Sequence, residues 1–209
     1  MMDPIVIITP CSRPENLPRI SESIDLKTCR WFIVFDAETV PETCLLYPNT
    51  VYLAIKGGIS GNMQRNRALD EIPSPAWVYI LDDDNILHPA FIKSITRLIK
   101  SHQKRRAFVF SQDVIHQHRI RHITPNRISV DNIKLQYITL RQGHITPNRI
   151  SVGNIDQAQY IIHTDLIGTY RYEQTYSADG TFVEIIYKIY PKKFLITKQI
   201  LAYYNYLRP

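Results

Sequence analysis

Residues 78–85 read VYILDDDN: four residues of strand character run straight into three aspartates and an asparagine. The wider segment Ala76–Leu81, AWVYIL, is apolar at nearly every position, which fits a strand covered on both faces, as in a parallel sheet. Three adjacent carboxylates repel one another and are costly at a strand end unless a cation neutralises them. Hard oxygen donors suit Mg2+ or Mn2+, ions that keep several waters and bridge to substrate phosphates. Asp82 and Asp84 are two residues apart, so they project to one side if the strand continues, while Asp83 points elsewhere. One acid can then bind the cation while its neighbour accepts from a sugar hydroxyl. The competing readings are a solvated acidic turn, or a cap on the next helix from Asp84 or Asn85.

Working outward, the first half alternates strand and helix. Strands are expected at 4–9 (PIVIIT), 31–35 (WFIVF), 50–55, 76–81 and 107–111. Helices are expected at 15–25, 61–71 and 89–100; the last has Pro89 at its start and basic residues at its end. This alternation predicts an α/β fold with a mostly parallel central sheet flanked by helices. Ligands of such sheets bind off the carboxyl ends of the strands. The turn Thr9-Pro10-Cys11-Ser12-Arg13, Asp36 and the aspartates 82–84 all fall there.

The second half differs. Residues 122–133, HITPNRISVDNI, recur 22 positions on at 144–155 as HITPNRISVGNI, with the single mismatch Asp131 against Gly153. The expected form is a turn at each Thr-Pro-Asn and a short strand at each Arg-Ile-Ser-Val. Two copies are too few for a solenoid. Strands are expected again at 159–163 and 193–197, and a helix at 178–190 with Phe182, Ile185, Ile186 and Ile189 on one face. The last residues, 199–207, are a Tyr-rich tail of undetermined type. One domain is expected over 1–209, with a nucleotide-binding half at 1–112 and an acceptor-side, β-rich half at 113–209 that contains the repeat.

Bulk properties narrow the classes. Lys and Arg number 25 against 19 Asp and Glu, a net +6 that favours anionic partners. The densest basic cluster, Lys104-Arg105-Arg106, is too sparse for a nucleic-acid footprint, and no nucleic-acid partner is expected. Cys11, Cys29 and Cys44 show no CxxC spacing, so free thiols in a cytoplasmic setting are expected. No run approaches the roughly 18 apolar residues of a membrane span.

The segment 57–70, GGISGNMQRNRALD, offers glycines for close backbone approach, and Arg65 for a phosphate or base carbonyl. It is neither a Walker A loop nor a GxGxxG turn. Arg67 reads as an exposed helix residue. Taken with TPCSRP after the first strand, an aspartate ending the second and the DDD after the fourth, the chain resembles the GT-A nucleotide-sugar glycosyltransferases. QRNxALD is most similar to the inverting glucuronyltransferase group (family 43), and the general layout and the late SADGTF to family 2. Small stand-alone modules of this kind occur in large algal viruses, which would place the protein in a host cytoplasm.

That resemblance implies a metal-dependent transfer of sugar from a UDP-sugar donor to a hydroxyl of a glycan acceptor, with inversion. It implies that Thr9, Pro10 and Arg13 line the uridine pocket, that Asp36 bonds the base, and that Arg65 reaches the nucleotide. Asp82 would meet the ribose with Asp83 beside it, and Asp84, with Asp82, would hold Mn2+ or Mg2+. Asp179 would be the base that takes the acceptor proton, with Glu184 as second choice; a simple helix cap is the alternative for Asp179. The metal-binding His that many relatives carry late in the chain has no counterpart after His163, which reads as a structural residue. The rival functions are a sugar-nucleotide nucleotidyltransferase, a non-catalytic carbohydrate-binding module and a metal-dependent nuclease.

Overall fold

The computed structural model describes residues 2–42, 46–116, 119–123 and 150–208. Four strands come from the alternating first half: β1 (Ile5–Cys11), β2 (Cys29–Phe35), β3 (Thr50–Ala54) and β4 (Trp77–Ile80). They are joined by α1 (Leu17–Ser23) and α2 (Asn62–Glu71). A two-residue strand β5 (Ile86–Leu87), the helix α3 (Phe91–Ser101), and strands β6 (Ala107–His116) and β7 (Arg119–Ile123) follow. Beyond lie β8 (Tyr160–His163), the short α4 (Thr164–Ile167), α5 (Ala178–Ile189) and β9 (Phe194–Tyr204).

The strands form one sheet in the order β3-β2-β1-β4-β8-β6-β9-β5, with β7 paired to β6. β3, β2, β1 and β4 are mutually parallel, and β8 runs antiparallel to both β4 and β6. The uninterrupted apolar runs have a direct cause: successive residues of one strand feed two separate cores. Ile5, Ile7, Trp31, Ile33, Trp77 and Tyr79 face α1 and α3 on one side. Val6, Ile8, Phe32, Val34, Val78 and Ile80 face α2 and α5 on the other. Each such side chain contributes about 1.5–3 kcal/mol by leaving water. Trp31 and Trp77, 0% and 2% exposed, are core residues and cannot stack on a sugar.

The second half departs from expectation in three places. β9 extends to Tyr204, absorbing most of the Tyr-rich tail, and pairs in parallel with β6 along nearly its whole length. In α5 the buried residues are Ala178, Gly180, Phe182, Val183 and Ile186, whereas Ile185 and Ile189 are 37% and 50% exposed. The inward stripe is therefore rotated from the one expected, because Phe182 stacks on Tyr172 with ring centroids 4.1 Å apart and fixes the helix's turn. The first copy of the repeat beyond Ile123, and the second copy before Ile150, lie outside the described residues. In the second copy, Ile150–Val152 is loop rather than strand: Ile150 and Ile155 are buried anchors, and Val152–Asn154 is a turn. Gly153, the mismatched position, takes φ +77°, a left-handed conformation that an aspartate adopts less readily. α5 packs so closely on this turn that a Cβ at Gly180 would lie 2.9 Å from Val152 Cα.

The expected division at residue 112 falls inside β6, and both halves share the sheet. Among the described residues, no helix is long and apolar enough to cross a membrane.

Candidate active site

A cleft of about 400 Å³ opens off the carboxyl ends of β1, β2 and β4, where the sequence places its chemistry. Pro10, Arg13, Asp36, Arg65, Asp82, Asp83, Asp84 and Asp179 all line it.

The three aspartates after β4 are not equivalent. Asp83 is 3% exposed and its carboxylate is fully engaged. Its Oδ2 accepts from Ser12 N (2.7 Å), Ser12 Oγ (2.9 Å) and Arg13 N (2.8 Å). Its Oδ1 accepts from Arg13 Nε at 2.9 Å and from a second guanidinium nitrogen of Arg13. Asn16 Nδ2 donates to the Asp83 carbonyl at 2.8 Å. Asp83 is therefore the clamp that shapes the turn after β1, with no oxygen to spare for a ligand. This corrects the expectation that Asp83 meets the nucleotide.

Asp82 and Asp84 are each paired through one oxygen. Arg65 donates to Asp82 Oδ1 at 2.8 Å and to Asn62 Oδ1 at 2.7 Å. Arg13 lies 3.1 Å and Arg208 Nε 2.8 Å from Asp84 Oδ2. Asp82 Oδ2 and Asp84 Oδ1 have no protein partner among the described residues. Burial, then the Asp82 charge, push the Asp84 carboxyl above the ordinary value, against the pull of Arg13 and Arg208. Two single carboxylate oxygens fit an ion held mainly by water and phosphate oxygens, and do not form an all-protein cage. No cluster of three or more His, Cys, Asp or Glu that could hold a metal by itself occurs among the described residues.

Arg65 is 6% exposed, and its guanidinium lies 5.4 Å from the centre of the Tyr172 ring. Desolvation, the largest influence, would lower its pKa; the charge and hydrogen bond of Asp82, with Tyr172 and Asp179, together outweigh it and hold the guanidinium above its ordinary value. The rest of that helix start is scaffolding. Asn62 donates to the carbonyls of Glu173 and Thr175, Gln64 to those of Ile55 and Gly57, and Asn66 exchanges two bonds with the Tyr172 backbone. Gly61, at φ +77°, lets this turn close over Pro10, which a Cβ would meet at 2.8 Å. Arg67 pairs with Glu71 on the exposed face. Asp36 sits at the end of β2, exposed, with Oδ1 accepting from Gly57 N at 2.7 Å.

Thr9 is the clearest displacement. Its side chain is fully buried and its hydroxyl accepts from Trp31 Nε1 at 2.9 Å, so it does not line the cleft. The reason is register: Thr9 follows Ile5 and Ile7 on the α1–α3 face of β1. Glu184 is also away from the cleft, accepting from Val152 N and paired with Lys188. His163 is 1% exposed, contacts Asp3 and accepts from Asp165 N at 3.2 Å, a structural cap for α4. Cys11 stays a thiol, since burial and then the Asp83 charge push it up to about 12.

Asp179, which also lines the cleft, lies in the first turn of α5, and its Oδ1 accepts from Gly180 N at 2.8 Å. The N-cap position belongs to Ser177. Burial raises the Asp179 carboxyl above its ordinary value. Beside it is a residue that sequence reasoning missed, Asp156. Burial, and next the Asp179 charge, push Asp156 up to about 8. Its Oδ1 accepts from Ala158 N at 2.9 Å, and Gln159 Oε1 accepts from its backbone N–H. That capping box, Asp followed three positions later by Gln, was a legible signal. Tyr176, 83% exposed, and Tyr204 and Arg208 from the end of the chain also line the cleft, and no motif announced them.

Among solved structures the chain is similar to that of S. aureus TarS 1-349 in complex with UDP, with TM-score 0.69 and 14% identity over 97% of this chain. It is likewise similar to TarS 1-349 in complex with UDP-GlcNAc (0.67, 13%) and to TarS itself (0.67, 13%). This chain spans 58–60% of the 1-349 structures and 36% of the longer one. No protein-family model matches it, and no curated protein matches it. The likeness defines a GT-A-like fold: a mixed sheet flanked by helices, with the cleft at the carboxyl ends of its parallel strands.

Proposed function

We propose that the chain is a glycosyltransferase that moves a sugar from a UDP-sugar to a hydroxyl of a glycan acceptor, with inversion and with Mn2+ or Mg2+. The observation that carries this reading is that two half-free carboxylates (Asp82, Asp84) and a third, Asp179, line one cleft. The TarS complexes with UDP and UDP-GlcNAc, on the same fold, support UDP-GlcNAc as the first donor to test.

In this reading Asp36 would accept from the uracil, and Asp82 and Asp84 would hold the cation. When bound, the cation neutralises the diphosphate as it leaves. Asp179 accepts the acceptor's proton while the acceptor oxygen bonds to the sugar's anomeric carbon and the carbon–phosphate oxygen bond breaks. Burial and then the Asp179 charge push Asp156 up to about 8, so at neutral pH Asp156 is a protonated neighbour of the proposed base. Arg65 fixes Asp82 and shares the field of Asp179.

The experiment is incubation with UDP-sugars, Mn2+ and glycan acceptors, following UDP release. Asp179→Asn is expected to cut turnover by roughly 100-fold or more while UDP affinity survives; unchanged turnover would refute the base. Pyrophosphate release from a nucleoside triphosphate and a sugar phosphate would instead indicate a nucleotidyltransferase.

A further inference from the structure

The end of the chain is laid across the acidic motif. β9 stops at Tyr204, and Asn205 turns the backbone with φ +55°. Asn205 N then donates to Asn85 Oδ1 at 2.7 Å, and Leu207 N donates to the Asp84 carbonyl at 2.9 Å. Leu207 packs against the core. These contacts fix the backbone of the strap on both sides of Asp84 and deliver the next side chain, Arg208, to Asp84 Oδ2 at 2.8 Å.

The three arginines that face the acidic cluster are held differently. Arg65 has a 7% exposed side chain, and Arg13, 34% exposed, is tied to Asp83 by several bonds. Arg208 is 57% exposed and makes one ion pair among the described residues. An ion pair with an exposed partner contributes at most about 1 kcal/mol, so exchanging it costs little. Asp84 is different: at 5% side-chain exposure it would keep only Arg13, at 3.1 Å, if Arg208 left, so a second cation in its place is favoured. An exposed guanidinium on a tethered backbone, set against a buried carboxylate in the cleft proposed to take a diphosphate, is arranged for exchange.

We propose that Arg208 is a resident counter-cation for Asp84 that leaves the carboxylate when a divalent ion binds to it, and turns its guanidinium onto the incoming nucleoside diphosphate. This rests on the donor-site reading above and adds an order to it: cation and diphosphate enter together, because each makes room for the other. The guanidinium fork suits a phosphate as well as it suits a carboxylate.

The test is calorimetric titration of Arg208→Gln and Arg208→Lys against wild type, with Mn2+ alone and with UDP in saturating Mn2+. Removing the competitor strengthens Mn2+ binding in the absence of nucleotide, by roughly threefold to tenfold for Arg208→Gln. Removing a phosphate partner weakens UDP in Mn2+ by about tenfold, the size of one charge-assisted bond. Arg208→Lys falls between on both. This opposite-signed pair of changes is the signature, since a general structural defect would weaken both titrations. Mn2+ affinity unchanged or lowered, or UDP affinity unchanged, overturns the exchange while leaving the donor site standing. Wild-type protein that binds neither ligand overturns both.

Discussion

Replacing Asp156 by Asn gives the most revealing perturbation of the site. Asp156 is partly buried beside Asp179, and its carboxyl is pushed up to about 8, by burial and then by the Asp179 charge. Between the ordinary aspartate value of 3.8 and about 8, the native protein holds a proton there that the unfolded chain has released. Folding therefore takes up a proton across that window. The stability this group contributes is complete below about pH 4 and is lost as pH rises towards 8. At 1.36 kcal/mol per pH unit the window sets an upper bound of roughly 5–6 kcal/mol. Water entry and side-chain relaxation in an open cleft reduce this, and a difference of about 1–3 kcal/mol is expected. Asn is shaped like the protonated acid and can still accept from Ala158 N, so it preserves the cap. The assay is urea unfolding of both proteins at pH 5, 7 and 9. The two curves converge at the acid end, and the Asn variant is the more stable at pH 9. Parallel profiles, or a wild type more stable at pH 9, would refute the assignment of the proton to Asp156.

Other outcomes follow from the same geometry. Asp84→Ala leaves the far-UV dichroism and unfolding cooperativity unchanged but abolishes the Mn2+ dependence of UDP binding in calorimetry. Asp83→Ala costs about 3–5 kcal/mol in urea unfolding, because Arg13 loses its clamp and the turn after β1 loses three donors' common acceptor. Thr9→Val strands the buried Trp31 indole N–H and costs about 1–3 kcal/mol, while UDP affinity stays at the wild-type value; a loss of affinity would return Thr9 to the pocket.

The parallel half was legible because the strands bury both faces. WFIVF and AWVYIL have no polar face to mistake for solvent exposure, so their order fixed the crevice and put Asp36 and Asp82–Asp84 in it. What sequence could not separate was the division of labour among three adjacent aspartates. Only the turn geometry shows that Asp83 bonds the backbone of Ser12 and Arg13 while its neighbours keep an oxygen free. Thr9 was misplaced for the same kind of reason: one step along a strand moves a side chain from one face to the other, and a strand-end threonine looks alike on either. Along α5, Ile185 and Ile189 mimic a core stripe, yet Phe182 stacking on Tyr172 sets the helix's rotation. Asp156 carried a readable capping box, but its nearness to Asp179 is a tertiary fact. Arg208 carried no local signal, since its role depends on β9 running back to the acidic motif, some 120 residues away along the chain.

The central claim is that this acidic mouth, with a divalent cation, holds the diphosphate of a sugar nucleotide. The direct measurement is anomalous scattering from crystals grown with MnCl2 and UDP. A manganese peak is expected at the free oxygens of Asp82 and Asp84, next to the diphosphate, with the uracil beside Asp36. UDP seated in the cleft with no manganese there, or UDP bound to another surface, would contradict it.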